Sequence, residues 1–531
     1  MNKKSVSILL ALLTAASAVL AGCGGNPPGI ASVPEYQTVY SSQAASSNGE
    51  TSSKEETSSK EESTTSSEES SKEETTSSKD NSSTESETEE KKEFDGSYQK
   101  NADGTISMSY GAILHAWCWD FATITEHLDD IKEAGYTSIQ TSPINQCKVG
   151  ESGGKTLFSE DGGKWYYHYQ PTDYVIGNYQ LGSKEKFVTL CEEAEKRGLK
   201  IIVDVPLNHV SSDLKAVTQN IFDICDEPFH DRGEIGSYSS RKQVTQNDLL
   251  GLKDLNTQDP KVQQYELNYL KEVIEAGASG FRFDAAKHIE LPDDDEAYAS
   301  DFWTVVLDNG AEFQYGEILQ GESDRIADYS KIMSVTASAY GEKIRTAASG
   351  NMSVSNIESY SAKGVDEDKF VTWVESHDNY CNDGSWEKLE ESDVEFGWAI
   401  IAARSGGAPL FFSRPDGSSI DDQWGKNAIG KVGSDGYKSE NVSALNHFRN
   451  EMAGLDETLS NLDEDKKVLM IERGDKGAVI INRGTEDFKL DGAETVLADG
   501  TYKDKVTGAE FTAEGGKLSG TVPKDGIIVI Y

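Results

Sequence analysis

The chain of 531 residues carries 92 acidic against 50 basic side chains, a formal net charge of −42 at pH 7. Such a surface repels phosphate backbones, so nucleic acid is excluded as a partner and a neutral substrate suits it better. Beyond Cys23 the cysteines are Cys118, Cys147, Cys191, Cys225 and Cys381, an odd number without metal-ligand spacing, which excludes a disulfide framework and a zinc site.

The N-terminus opens with Lys3 and Lys4, then an apolar run at residues 8–13 that is too short to span a membrane. Leu20-Ala21-Gly22-Cys23 follows. A basic start, a short apolar core and small residues make a secretory signal over residues 1–23. The cysteine placed directly after Leu-Ala-Gly resembles the lipobox of bacterial lipoproteins, which implies lipidation of Cys23. The expected location is therefore the cell surface, with the protein exported and anchored to the membrane by lipid. Residues 24–95 include repeated units such as Thr-Ser-Ser-Lys-Glu-Glu with almost no apolar side chain. Nothing there can offset the entropy of ordering the chain, so a solvated tether is expected.

From residue 96 short apolar runs alternate with amphipathic stretches. Residues 111–119 and 137–142 read as strands, separated by a helical face of Ile124, Leu128 and Ile131. Residues 187–197 read as a helix on which Cys191 shares the apolar face with Phe187, Leu190 and Ala194. Residues 200–205 form an apolar strand. Asp259 and Pro260 open a helix as an N-cap and a first-turn proline should. Strands follow at 281–285, 312–318, 370–375 and 408–412. Strand–helix alternation over this length predicts a parallel sheet, doubly wound or closed as a barrel. The connection from 208 to 259 is too long for a turn, so a small inserted domain is expected at about 209–258. The sheet-bearing domain is placed at 96–450. Short strands with Gly and Asp turns then predict a C-terminal antiparallel β domain over 451–531.

Chemistry-bearing residues gather where apolar strands end. Four segments stand out, running 204–209, 280–288, 312–317 and 375–378. Arg282 and Asp284 are two apart on a strand and share a face. Phe281 and Phe283 take the other face, and the guanidinium favours an ionised Asp284. Glu317 follows Tyr315 on the next apolar strand, where desolvation among aromatics would raise a carboxyl and suit a general acid. Either segment taken alone could equally be a structural ion pair at a strand end.

Together, in this order, the four segments resemble the signature regions of the α-amylase family, glycoside hydrolase family thirteen. They are most similar to its saccharifying bacterial members with a short inserted domain. The stretches 115–117, 135–146, 169–171 and 410–415 support the likeness. The resemblance implies a (β/α)8 barrel with the small domain inserted after its third strand and a C-terminal β-sandwich. It implies a monomer acting on starch and other α-glucans, a retaining endo-hydrolase of α-1,4 bonds. Asp284 matches the nucleophile, Glu317 the general acid/base and Asp378 the third carboxylate. His209, His377 and Arg282 match residues around the reacting sugar. Tyr166, Tyr169 and Gln170 match the lining of that subsite, and Lys287 and His288 the next one; Trp165, next to Tyr166, is read from its neighbourhood as a sugar platform. Calcium is implied on Asn208, Thr245, Asp254 and His288, through side-chain oxygens of Asn208 and Asp254 and backbone carbonyls of the other two. A transglycosylase or a hydrolase of short maltooligosaccharides shares these motifs. So would a glucan-binding lipoprotein that had lost catalysis, but here the whole carboxylate trio is present.

Overall fold

The computed structural model describes residues 94–150, 152–159 and 163–531. The signal segment, Cys23 and nearly all of the tether lie outside the described residues. Eight parallel strands close a barrel: β1 (Ile113–Ala116), β2 (Ser138–Thr141), β3 (Lys200–Pro206), β4 (Gly280–Asp284), β5 (Phe313–Gly316), β6 (Ser334–Thr336), β7 (Phe370–Trp373) and β8 (Ala408–Phe412). Each strand pairs with its neighbours in sequence, and β8 pairs back on β1. Helices cover the outside, so nearly every strand residue is buried and the strands read as continuous apolar runs.

Seven of these strands coincide with the apolar runs. The eighth, β6, is three residues of Ser-Val-Thr and offers no such run. The apolar face of Ile124, Leu128 and Ile131 is buried as the spacing predicts, but two helices carry it, Phe121–Glu126 and Leu128–Glu133, with His127 between them. The helix Pro260–Glu275 starts as expected, with the Asp259 carboxylate accepting from the Lys261 backbone N–H at 2.7 Å. Cys191 lies in the core with Phe187, Leu190 and Ala194.

Two excursions leave the barrel on the side where the strands end. One lies between β3 and β4, in the place of the expected insertion. Its short strands His209–Val210 and Lys253–Asp254 pair and bring His209 opposite Asp254. The other, between β2 and β3, contains the strand Pro171–Asn178 and the 3-10 turn Trp165–Tyr169. The apolar pattern of the sequence assigns no element to this second stretch.

After the helix Glu440–Glu451 come eight antiparallel strands in two four-stranded sheets. The strands Val468–Arg473 and Gly477–Asn482 are buried on both faces. Met470, Ile480 and Ile528 face the second sheet, whereas Leu469, Ile471, Val479 and Ile481 join the main core. That double burial explains why these strands are apolar at every position rather than at alternate ones. Among the described residues, no helix is long and apolar enough to cross a membrane.

Candidate active site

The register of the barrel sets the site. Asp204 of β3 lies beside Arg282 of β4, which lies beside Tyr315 of β5, so three polar side chains share one inward layer. Phe283, on the opposite face of β4, meets Trp303. Arg282 is buried and donates to three carboxylates at once. Its Nη1 reaches Asp204 at 2.7 and 2.8 Å and Asp284 at 2.8 Å, and its Nη2 reaches Glu317 at 2.5 Å. The other Glu317 oxygen accepts the backbone N–H of Ala285 at 3.1 Å. Ala285 itself has a left-handed φ of 49°, a conformation that costs a non-glycine residue and persists where surrounding structure over-determines it. It turns the chain sharply after Asp284.

Asp378 enters from the far side, on the short helix His377–Cys381 that follows β7 and is capped by Ser376. Its carboxylate lies 3.5 Å from His377 Nε2 and accepts from Asn382 at 3.1 Å. Glu375, just before this helix, is a buried anchor that takes Arg414 at 2.8 and 2.9 Å and the Ser385 hydroxyl at 2.5 Å.

Aromatic rings wall the pocket. Tyr169 stacks on His377 with centroids 5.1 Å apart and planes 7° from parallel, and its hydroxyl donates to Asp204 at 2.8 Å. Trp165 meets His377 edge-on at 5.6 Å and touches Tyr166. His209 Nε2 lies 3.0 Å from the Tyr169 carbonyl. Gln170 accepts the Ser211 hydroxyl.

Charge is scarce on the positive side. Burial is the largest influence on three of the aspartates, and it pushes Asp204 up to about 6 and Asp284 and Asp378 well above the usual carboxylate range. Arg282 pulls all three back down, and their repulsion from Glu317 pushes them up again. A quarter of the Asp378 side chain remains open to water, which tempers its shift. Burial pulls His209 down to about 4 and His377 well below its ordinary value, so both rings are neutral at neutral pH.

The sequence-predicted residues therefore converge in part. Arg282 bonds Asp284 and Glu317, Tyr169 joins them through Asp204, and His377 stacks on Tyr169, with Asp378 beside His377 and Trp165, Tyr166 and His209 against these rings. Lys287 and His288 sit on the turn beyond β4. The Lys287 ammonium donates to the Leu319 carbonyl at 3.0 Å and is drawn down to about 8 by burial, and His288 Nδ1 lies 2.8 Å from the Val244 carbonyl. Asp204 was passed over as a site residue, although it ends an apolar strand in the same manner as Asp284. One expectation is corrected. Glu317 does not sit among aromatics alone, because Arg282 reaches across from β4 and bonds it directly.

Near Asn208 the donor set is mixed. Asn208 and Asp254 are buried, Asp254 takes His230 Nδ1 at 2.6 Å, and burial with nearby Glu290 and Asp248 pushes its carboxyl well up. Thr245 lies on the helix Arg241–Gln246 beside the Val244–His288 contact. Among the described residues, no three His, Cys, Asp or Glu side chains converge as a metal cage.

The profile of the α-amylase catalytic domain matches residues 44–231, and that of the α-amylase C-terminal all-β domain matches residues 459–531. The chain belongs to the α-amylase family. An α-amylase from Butyrivibrio fibrisolvens is 42% identical over 80% of this chain and 47% of its own length. An α-amylase from Clostridium acetobutylicum is 38% identical over 79% of this chain and 54% of its own. The chain thus spans about half the length of these two relatives. Among solved structures, an Anoxybacillus α-amylase has a TM-score of 0.63 at 18% identity, covering 79% of this chain and 97% of that one. α-Amylase I from Eisenia fetida has a TM-score of 0.62 at 18% identity, covering 80% and 99%. At that identity the two structures speak for the α-amylase fold alone.

Proposed function

We propose that this α-amylase family protein is a cell-surface enzyme that hydrolyses internal α-1,4 bonds of starch, glycogen and related glucans with retention of configuration. The observation that carries the reading is the grouping of Asp284, Glu317 and Asp378 around one cleft, with Arg282 bonding the first two. Asp284 attacks the anomeric carbon while Glu317 gives its proton to the departing glycosidic oxygen, which leaves a glucosyl ester on Asp284. Glu317, now ionised, takes a proton from water. The water oxygen opens the ester, and both carboxyls return to their starting states. Asp378 holds sugar hydroxyls, Tyr169 stacks on the ring, and the neutral His209 and His377 bond its hydroxyls, with Trp165, Tyr166 and Gln170 beside them. Lys287 and His288 serve the leaving-group side.

Calcium belongs to the same reading. The side-chain oxygens of Asn208 and Asp254 with the backbone carbonyls of Thr245 and His288 are hard donors from separate segments, and a buried, charge-crowded Asp254 suits a cation. The ion would pin the excursion after β3 to the barrel beside His209. Cys23 carries the lipid anchor, and the protein works as a monomer.

Soluble starch tests the function. The wild type releases maltooligosaccharides, and Asp284→Asn binds starch but loses turnover by about 10⁴-fold or more, the scale on which removing a catalytic-unit member acts. A wild type that binds starch and never cleaves it overturns the reading in favour of a glucan-binding lipoprotein.

A further inference from the structure

The helix Arg241–Gln246, in the excursion after β3, grips the turn beyond β4 at two points. His288 Nδ1 lies 2.8 Å from the Val244 carbonyl. One helical turn earlier, the Arg241 side chain reaches over the same stretch of chain. Its Nη1 donates to the Lys287 carbonyl at 2.6 Å and its Nη2 to the Ile289 carbonyl at 3.2 Å, the carbonyls on either side of His288. Nη2 also donates to the Tyr329 hydroxyl at 2.8 Å, and that hydroxyl donates in turn to the Ile289 carbonyl at 2.5 Å. The remaining edge faces the Asp294 carboxylate, with Nε at 3.2 Å and Nη2 at 2.9 Å.

Asp294 extends this hold to the chain after β5. It accepts the Leu291 N–H at 2.8 Å and Arg325 Nη1 at 2.6 Å. Arg325 also donates to Asp293 and Asp328, both at 2.9 Å. Its backbone has a left-handed φ of 49°, and Ser323 has one of 56°, so the stretch beyond Glu317 keeps a shape that its contacts impose. Lys287 closes the circuit, because its ammonium donates to the carbonyl of Leu319, just past Glu317. The Arg241 side chain is 10% exposed and that of Asp294 2%, so losing either leaves a buried charge without its partner. An ion pair alone would occupy only one edge of the guanidinium. The rest of the fork goes to the carbonyls of the turn that carries Lys287.

We propose that Arg241 is a positioning residue for the leaving-group half of the cleft, fixing the backbone of the turn from which Lys287 and His288 meet the departing glucan. The proposal rests on the glucan-hydrolase reading of the main site and on the place of Lys287 and His288 in it. A planar fork that spans two carbonyls, a carboxylate and a hydroxyl sets the height and the tilt of the turn together. An ammonium in the same place is a point charge without that geometry. The excursion after β3 thereby determines how a glucan sits beyond the cleaved bond.

The test compares two substrates, in excess calcium, on the wild type, Arg241→Ala, Arg241→Lys and Lys287→Ala. Maltoheptaose places glucose units on both sides of the cleaved bond, whereas a nitrophenyl maltoside places only a phenol on the leaving-group side. Arg241→Ala is expected to lower kcat/KM for maltoheptaose by about 10- to 100-fold, the cost of a misplacement of about 1 Å, while nitrophenol release falls by less than about threefold. Arg241→Lys keeps the charge and most of the bulk, shows the same selective loss, and decides if Arg241→Ala does not fold. Equal losses on the two substrates are the mark of a merely structural contact and overturn the proposal, as does wild-type cleavage of maltoheptaose by both Arg241 variants. Lys287→Ala separates the two readings. A selective loss there without one in the Arg241 variants overturns the positioning role alone. No selective loss in Lys287→Ala, or a wild type that cleaves neither substrate, removes the glucan reading of this half of the cleft and the positioning role with it.

Discussion

Arg282 faces Asp204, Asp284 and Glu317 together, and this ratio of charges governs how the cleft titrates. Asp284 must be ionised to attack, yet burial and then the repulsion of Glu317 and Asp204 push its proton affinity up. Removing the negative charge of Asp204 should therefore let Asp284 ionise at lower pH. Asp204→Asn is expected to move the acid limb of the kcat/KM profile downward, because that limb reports ionisation of the free enzyme. A limb that stays in place, or moves up, contradicts this account of the cluster. Much of the chemistry at this scale is legible in the sequence. Arg282 and Asp284 share a face by simple alternation, Glu317 closes an apolar strand, and Asp378 follows another on the helix after it. The bond from Arg282 to Glu317 is not legible, since it depends on the register between β4 and β5, which periodicity along one strand does not report.

Elements were legible in proportion to how much apolar pattern they carry. The helix opened by Asp259 and Pro260 is read from its cap, and β3 from the apolar run that Asp204 interrupts near its end. β6 escaped because Ser334 and Thr336 flank a lone valine. The excursion between β2 and β3 escaped because its fold is held by aromatic packing around Trp165 and Tyr169, contacts between residues far apart in sequence. The excursion after β3 reaches the barrel through His209 opposite Asp254, and calcium at Asn208 and Asp254 would fix that junction. An ion that binds only the folded state stabilises it by mass action. Excess chelator is thus expected to lower the thermal midpoint by several degrees for a loss of about 2–3 kcal/mol, and Asp254→Ala to mimic it. An unchanged midpoint, with no calcium in the purified protein, removes the site.

For the whole molecule, the catalytic barrel and the C-terminal sheets form one folded body through a shared core. Leu469, Val479 and Ile481 pack with the outer helices of the barrel. The anchoring of that body is a separate matter, argued from Lys3, Lys4 and the Leu-Ala-Gly-Cys23 run. Cys23→Ala should shift the protein from the membrane fraction to the soluble one without changing its specific activity on starch. Wild-type protein that is free and unlipidated in its own host contradicts the anchor.

The central claim is that Asp284 and Glu317 act as nucleophile and acid/base, which requires carboxyls about 5–5.5 Å apart rather than the wider gap of an inverting pair. Proton NMR of the first product from a maltooligosaccharide, recorded before mutarotation, tests it most directly. The account predicts the α-anomer at the newly released reducing end. Initial release of the β-anomer would contradict it.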